Sequence, residues 1–353
     1  MYYLVFFILF WFSVVEVFFK KKNPLWFNIS YIIMTFMAMF RYGQLADYFN
    51  YKDLYEGRNS MEEGRDPLFY LFEDFCINLG LDFEIFVIII GAISMIVIYP
   101  FFVKHCQKSI TALLVFYSYI FLILPMTAMR QGLCVSLLLW NYSFLIEGKM
   151  WRFYVTLLIG CFIHLSMLVA ILIPLLYRKT WYNSNLMVFV IIGMTMVALI
   201  TPDLSHYTMV FGNRAFEADA GSRILQVSIR ALLIIPVLLI KPEYKTNGYY
   251  AKAICIIGYC VYCLMSFSVL VSARLEFFFR VFMCLLVSFA LFSMERTRIF
   301  RLLMSSILVI HVFLFFKNMD AAIEQGDYNK DKVSMFSFPY ISIFDKDELN
   351  QYK

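Results

Sequence analysis

An arginine and a glutamine, Arg130 and Gln131, open the otherwise apolar stretch "MTAMRQGLCVSLLLW" at residues 126–140. A charge beside such a run costs free energy unless something uses it. An arginine at a helix end can simply snorkel to lipid headgroups. It can also hold an anion, because its planar fork of donors matches phosphate oxygens two at a time. A helix N-terminus favours negative charge as well, through its free N–H groups and the helix dipole. Gln131 adds a neutral donor at the same place.

Other scarce polar residues follow the same pattern. In "ARLEFFFRVF", Arg280 lies deep in an apolar run, four residues after Glu276. That spacing allows a structural ion pair on one helix face. Arg274, at the outer end of the run, is the better phosphate candidate. His164 sits between Ile163 and Leu165. It reads either as hydrogen-bonded packing or as a base that takes a proton from a sugar hydroxyl near neutral pH. The stretch "RYGQLADYFNYKDLY" at 41–55 combines Arg41, Asp47 and Asp53 with Tyr42, Tyr48, Tyr51 and Tyr55. Tyrosines are common at a membrane edge. Rings beside carboxylates also suit carbohydrate, with rings stacking on sugar and acids taking hydroxyls. Tyr48 and Tyr51 are glycan candidates on that ground, and Asp47 is a second candidate base. No spacing in this loop is diagnostic of a metal ion.

The elements that must position these residues are membrane spans. The chain has 353 residues, of which 62% are hydrophobic and 16% charged. Soluble domains carry about 25% charged residues. Apolar runs recur along the whole chain, and about 20 residues cross ~30 Å of hydrocarbon. The pattern predicts an all-α polytopic transmembrane bundle with about ten or eleven membrane segments. The candidates are 2–19, 25–40, 84–103, 109–125, 131–147, 152–176, 186–202, 224–240, 251–272, 275–294 and 299–317. Residues 1–317 would form the transmembrane domain, with external loops 41–83 and 203–223. Residues 318–353 would form an external tail capping the cavity. Seven of the eight cysteines lie in or beside apolar segments and read as small buried hydrophobes. The net charge of +5 sits in short loops and does not point to nucleic acid.

Orientation follows from lysine and arginine in short loops. "KKK" at 20–22, Lys104, Lys108, Lys149 and Arg152 belong inside, which puts the acidic stretch 41–83 and Arg130 outside. If 152–176 crosses once, the later basic loops around Lys241, Lys245, Arg296 and Arg298 fall outside. If "GCFIHLSM" at 160–167 is a break and the segment is re-entrant, they fall inside. The second reading is preferred. It gathers Arg41, Asp47, Arg130, His164, Arg214, Arg223, Arg274 and the tail on the outer face.

The ordered set "FRYGQLADYFNY", "DPLFYLF", "MRQGLCVSLLLW", "FIHLSML", "RLEFFFRV" and "FPYISIF" resembles the EpsG family of Wzy-like exopolysaccharide polymerases. The resemblance covers nearly the whole chain. It implies a bacterial inner-membrane polymerase acting at the periplasmic face on repeat units carried by undecaprenyl pyrophosphate. It also implies a GT-C-like arrangement of the helices. Arg41 and Asp47 match the family's arginine and aspartate. Arg130 and Gln131 match its arginine–glutamine pair, and His164 matches its histidine. Arg274 matches the late arginine, and Pro339 and Tyr340 match the terminal pair. Leu45 stands where the family usually has glycine, and Asp66 where glutamate is commoner. The implied roles are pyrophosphate binding by Arg130, Gln131, Arg274 and Arg41. Proton abstraction falls to His164 or Asp47, and glycan contact to Tyr48, Tyr51, Asp66 and Tyr340. No cofactor or metal is required, because pyrophosphate is already a competent leaving group. The partners implied are lipid-linked glycan donor and acceptor within membrane lipid, with a flippase and a chain-length regulator as candidate protein partners. A lipid-linked oligosaccharide flippase is the main rival and predicts charges through the membrane thickness and an internal repeat. An O-antigen ligase is the second rival, differing in acceptor.

Overall fold

The computed structural model describes all residues except 20–22, 44–46, 58–65, 178–183, 202–219, 241, 243–245, 294–297, 327 and 353. The turn at Leu45, loop residues 203–219 with Arg214, and Lys241, Lys245 and Arg296 lie outside the described residues, as does the side chain of Arg223. The chain is helical, with no strands among the described residues. It divides into two compact units. The first comprises Met1–Leu165 and Val287–Lys353, and the second Ser166–Leu286.

In the first unit, α1 (Tyr2–Phe18) packs on α6 (Ser109–Phe116), and α2 (Pro24–Met39) packs on α5 (Phe83–His105). A Cβ at Gly91 would lie 2.7 Å from the Ala38 carbonyl oxygen, so only glycine lets α5 approach the end of α2 this closely. Helix α7 (Met129–Ile146) lies between α5 and α8 (Met150–Ile163). These are the helices the apolar runs predict. Two differences stand out in the polar parts. The stretch 41–83 is not plain loop: it holds α3 (Asp47–Gly57) and α4 (Pro67–Asn78). Helix α15 (Arg298–Gln325) runs past the expected end at 317, because "KNMDAAIEQ" is polar but made largely of good helix formers.

The two ends of this unit differ in chemistry. At one end the C-terminal segment straps over the helix termini. The Tyr3 hydroxyl donates to the Met335 carbonyl and accepts from the Phe338 amide. The Tyr340 hydroxyl donates to the Met37 carbonyl, and Arg41 pairs antiparallel with Ser342 through the backbone. Lys346 reaches Glu84 at 2.9 Å. Helices α3 and α4 lie at this end and carry Asp47, Asp53, Glu56, Glu73 and Asp74. At the other end stand Lys104, Lys108, Lys149 and Arg152. There Glu16 of α1 accepts from the Ile110 and Thr111 amides at 3.3 and 2.9 Å and from the Thr111 hydroxyl at 2.9 Å. Glu16 thereby closes the N-terminus of α6 from a neighbouring helix, where its own sequence supplies no cap. Glu16→Ala leaves buried amides unpaired, and a loss of about 1–3 kcal/mol is expected. Reversible unfolding in mixed detergent measures it.

Helix α4 is two-faced. Phe69, Glu73 and Cys76 are buried, whereas Leu68, Leu71, Phe75 and Leu79 form an exposed apolar stripe. Such a stripe suits a helix lying against lipid. Its buried face joins Tyr48 and Tyr55 of α3, Phe83, Phe86 and Ile90 of α5, and Met129 and Leu133 of α7 in one core.

The second unit contains α9 (Leu172–Tyr177), α10 (Ser184–Ile200), α11 (Ala220–Leu239), α12 (Asn247–Leu264) and α13 (Val269–Arg280). The expected span 251–272 is corrected here. Helix α12 ends at Leu264, and "MSFS" at 265–268 turns the chain, with the Ser266 and Ser268 amides donating to Cys263 and Met265. Serine competes for backbone hydrogen bonds at a helix end, which an apolar count cannot register. The span expected at 275–294 accordingly starts earlier, as α13, and continues after a break into α14 (Met283–Ser293). All eight cysteines are free.

Candidate functional site

Asp66 is the centre of the site. It precedes Pro67, which fixes the first turn of α4. Its backbone is left-handed, at φ 55° and ψ 50°, the only non-glycine residue with positive φ among those described. Aspartate tolerates this region better than most residues, at a cost of about 1 kcal/mol. Asp66 does not use its carboxylate to cap its own helix. The side chain turns away and accepts three hydrogen bonds from two other helices. Arg130 Nη1 donates to Oδ2 at 2.8 Å, and His164 Nδ1 stands 3.1 Å from the same oxygen. The Leu165 amide donates to Oδ1 at 3.3 Å.

The helix break supplies two of these three donors. Helix α8 ends at Ile163, and His164 is extended at φ −160° and ψ 120°. In a continuing helix the Leu165 amide would donate to Cys161. The break frees it for Asp66. The expected interruption near His164 is therefore present, with a tighter helical turn over Leu165–Ile171 beyond it. Cys134 Sγ, donating to the Gly160 carbonyl, ties α7 to α8 one turn before the break.

Arg130 enters from the first turn of α7. Besides Asp66 it donates through Nε to the Tyr51 hydroxyl at 3.3 Å, and through Nη1 to Tyr70 at 3.5 Å. Its guanidinium lies over the rings of Tyr51 and Phe69 at 5.4 and 5.9 Å. Its Nη2 makes no hydrogen bond among the described residues. Asp66 is 6% exposed, whereas Arg130 and His164 are 25% and 23% exposed. The carboxylate is thus inside, and the guanidinium and the imidazole reach outward.

Burial alone would raise the Asp66 carboxyl. The hydrogen bond and charge of His164, then Arg130 and the Leu165 amide, outweigh burial and hold it below the ordinary range. An ionised carboxylate only accepts, so His164 Nδ1 carries a proton. In the tautomer with its only proton on Nδ1 the lone pair lies at Nε2, and Nε2 has no partner among the described residues. Burial, helped by neighbouring Asp74, pushes Glu73 up to about 7 despite the opposing charge of Arg130.

Arg41 is 1% exposed, and one of its Nη groups donates to the Ala38 carbonyl. Its Nε is buried without a partner. Burial lowers its guanidinium to about 10, against the pull of Tyr48, Tyr340, Tyr2 and Tyr51. Tyr51 lies within electrostatic range of Arg41, Asp47 and Arg130, and so links the two arginines. Tyr48 is a core residue, 2% exposed and edge-on to Phe83, so its ring face is not open to a sugar. Tyr340 is partly exposed and packs edge-on to Tyr2. Gln131 is buried one residue beyond Arg130.

Arg274 belongs to the second unit, where it is exposed on α13. The sequence places Glu276 and Arg280 as a pair, and they are one, at 3.5 Å. Sequence reading misses the stronger partner: Arg230 Nε donates to Glu276 at 2.8 Å while its guanidinium stacks 4.0 Å over Tyr262. The signal was an arginine inside the apolar run 224–240, a position that is expensive unless paired.

The EpsG family model matches residues 24–342. No curated protein and no solved structure matches the chain.

Proposed function

Because the chain belongs to the EpsG family, we propose that it polymerises lipid-pyrophosphate-linked oligosaccharide units at the outer face of a bacterial cytoplasmic membrane. One observation carries this reading. Arg130 and His164 meet on a single buried Asp66 oxygen, and each keeps an outward nitrogen uncommitted. That is an anion fork beside a proton acceptor, the pair of functions a glycosyl transfer from pyrophosphate needs.

The chemistry balances without other reactants. The hydroxyl of a second lipid-linked unit attacks the anomeric carbon. The bond from that carbon to the phosphate oxygen breaks, and the lipid pyrophosphate leaves with the electron pair. The hydroxyl proton passes to His164 Nε2. Arg130 stabilises the charge that grows on the leaving oxygens, while Arg41, 1% exposed behind Tyr51, adds its field without touching them. Tyr51, Tyr70 and Tyr340 offer rings for the glycan. Asp47, within range of Tyr51, is the alternative base. Positioning two large lipid-anchored substrates accounts for much of the acceleration.

Charge supports the orientation. The end of the first unit with Lys104, Lys108, Lys149 and Arg152 is the cytoplasmic one by the positive-inside rule. The opposite, acidic end carries Asp66, Arg130 and His164 and faces outward. The test is purified chain in liposomes with a synthetic lipid-pyrophosphate repeat unit. A mass ladder spaced by one repeat is expected. Movement of the unit across the bilayer without a ladder overturns the reading in favour of a flippase, and transfer to a non-glycan acceptor overturns it in favour of a ligase.

A further inference from the structure

We infer that Asp66 is a positioning residue that occupies the Arg130 fork in the resting protein and yields it to the incoming phosphate, so that anion arrival strengthens the base at His164. The inference rests on the polymerase reading for the identity of the anion. The geometry behind it is local and independent of that reading.

Both donors converge on one oxygen, Oδ2, at 2.8 and 3.1 Å. A carboxylate oxygen shared between a guanidinium and an imidazole gives each a weaker partner than it would alone. The second oxygen is held by the Leu165 amide, adjacent to His164 in the chain. Asp66 is therefore anchored to the histidine side through two contacts and to the arginine side through one. A phosphate that engages Arg130 through both Nη groups competes for Nη1, the atom Asp66 uses. The contact given up is the one to Arg130. Asp66, still fixed by Leu165, then faces His164 alone.

A negative charge beside an imidazole favours the imidazolium. Releasing Arg130 to the substrate thus makes His164 a better proton acceptor at the moment the leaving group is held. Among the described residues, Asp66 on α4 and Cys134 on α7 interact with His164 directly. The other titratable groups of the cluster reach it through them: Arg130 on α7 and Cys161 on α8, with Tyr51, Tyr70 and Glu73 around Arg130. Of these only Asp66 contacts both the fork and the base. The glycan-contact role first expected for Asp66 is replaced by this one: at 6% exposure it has little surface to offer a sugar.

The proposal is tested on full-length protein in detergent, with inorganic pyrophosphate as the probe. The His164 ring proton is followed by NMR through a pH titration, and assigned by its loss in His164→Gln. Saturating pyrophosphate is expected to raise the titration midpoint by about one pH unit, the low end of what a nearby carboxylate does. Pyrophosphate has its own field, so Asp66→Asn separates the contributions: less than half the rise should remain. Where Asp66→Asn does not fold, the carboxyl carbon of Asp66 in the wild type gives the answer, since loss of Arg130 must move its resonance. Equal rises in wild type and Asp66→Asn, or an unmoved Asp66 carbon with pyrophosphate bound, overturn the relay and leave the anion clamp standing. Failure of pyrophosphate to bind at all overturns both.

Discussion

Arg130→Lys is expected to lower long-chain polymer formation by about 100-fold or more, with protein level and folding unchanged. Lysine keeps the charge, so the ion pair with Asp66 survives in some form. It lacks the planar fork. The guanidinium now holds Asp66 with Nη1 and Tyr51 with Nε, and leaves Nη2 outward. An ammonium on a single stem cannot hold the inner partners and present a second donor in the same plane. Arg130 also lies in the first turn of α7, where free amides add to the positive field. Quantitative gel analysis of polymer, normalised to membrane-inserted protein, reads the effect. Polymer at wild-type length and amount would remove Arg130 from the anion clamp.

His164→Gln is expected to cost 100- to 10,000-fold in polymerisation, roughly the range for a lost general base. Glutamine can still donate an amide proton toward Asp66, so the loop after α8 keeps a partner. It cannot take the hydroxyl proton. Lipid-linked single units should therefore accumulate while their synthesis continues. Measuring the single-unit pool by mass spectrometry separates a block at polymerisation from a block upstream. Normal chain length in this variant moves the base to Asp47, at the start of α3 and within electrostatic range of Tyr51.

The two variants differ in what they leave behind. Arg130→Lys retains His164 next to an ionised Asp66, and its residual rate should still show an acid limb. His164→Gln removes the group that produces that limb. A pH profile of the residual activities thus distinguishes a lost clamp from a lost base.

The membrane helices were legible because an apolar run long enough to cross a bilayer is rarely anything but a span. The run 84–103 and helix α5 at Phe83–His105 coincide almost residue for residue. Where a turn is built from residues as apolar as the helices it joins, the signal vanishes. "MSFS" at 265–268 is such a turn. The reverse occurred at α3 and α4, whose polarity resembles a loop although Tyr48 and Tyr55 fall on one buried helical face. Pro67 after Asp66 marked the start of α4 and gave no hint of the aspartate's left-handed backbone.

At the site, scarcity of charge was the informative feature. Arg130 and His164 were singled out because ionisable groups in apolar settings need a reason. Their common partner was not legible, since Asp66 is separated from Arg130 by 64 positions and from His164 by 98. Only the packing of α4 and α7 against the end of α8 makes them one cluster. Arg41 was placed correctly beside the tyrosines in sequence, yet its burial depends on the C-terminal segment that pairs with it through Ser342. Arg230 was absorbed into an apolar run, and its partner Glu276 lies on a different helix.

The most direct measurement of the central claim is a count of leaving groups. Purified protein is given a synthetic lipid-pyrophosphate repeat unit, and released lipid pyrophosphate and new glycosidic bonds are quantified in the same sample. The account predicts one lipid pyrophosphate released for each bond formed, with both lost together in Arg130→Lys and His164→Gln. Bonds formed without lipid pyrophosphate release, or both variants polymerising at the wild-type rate, would contradict it.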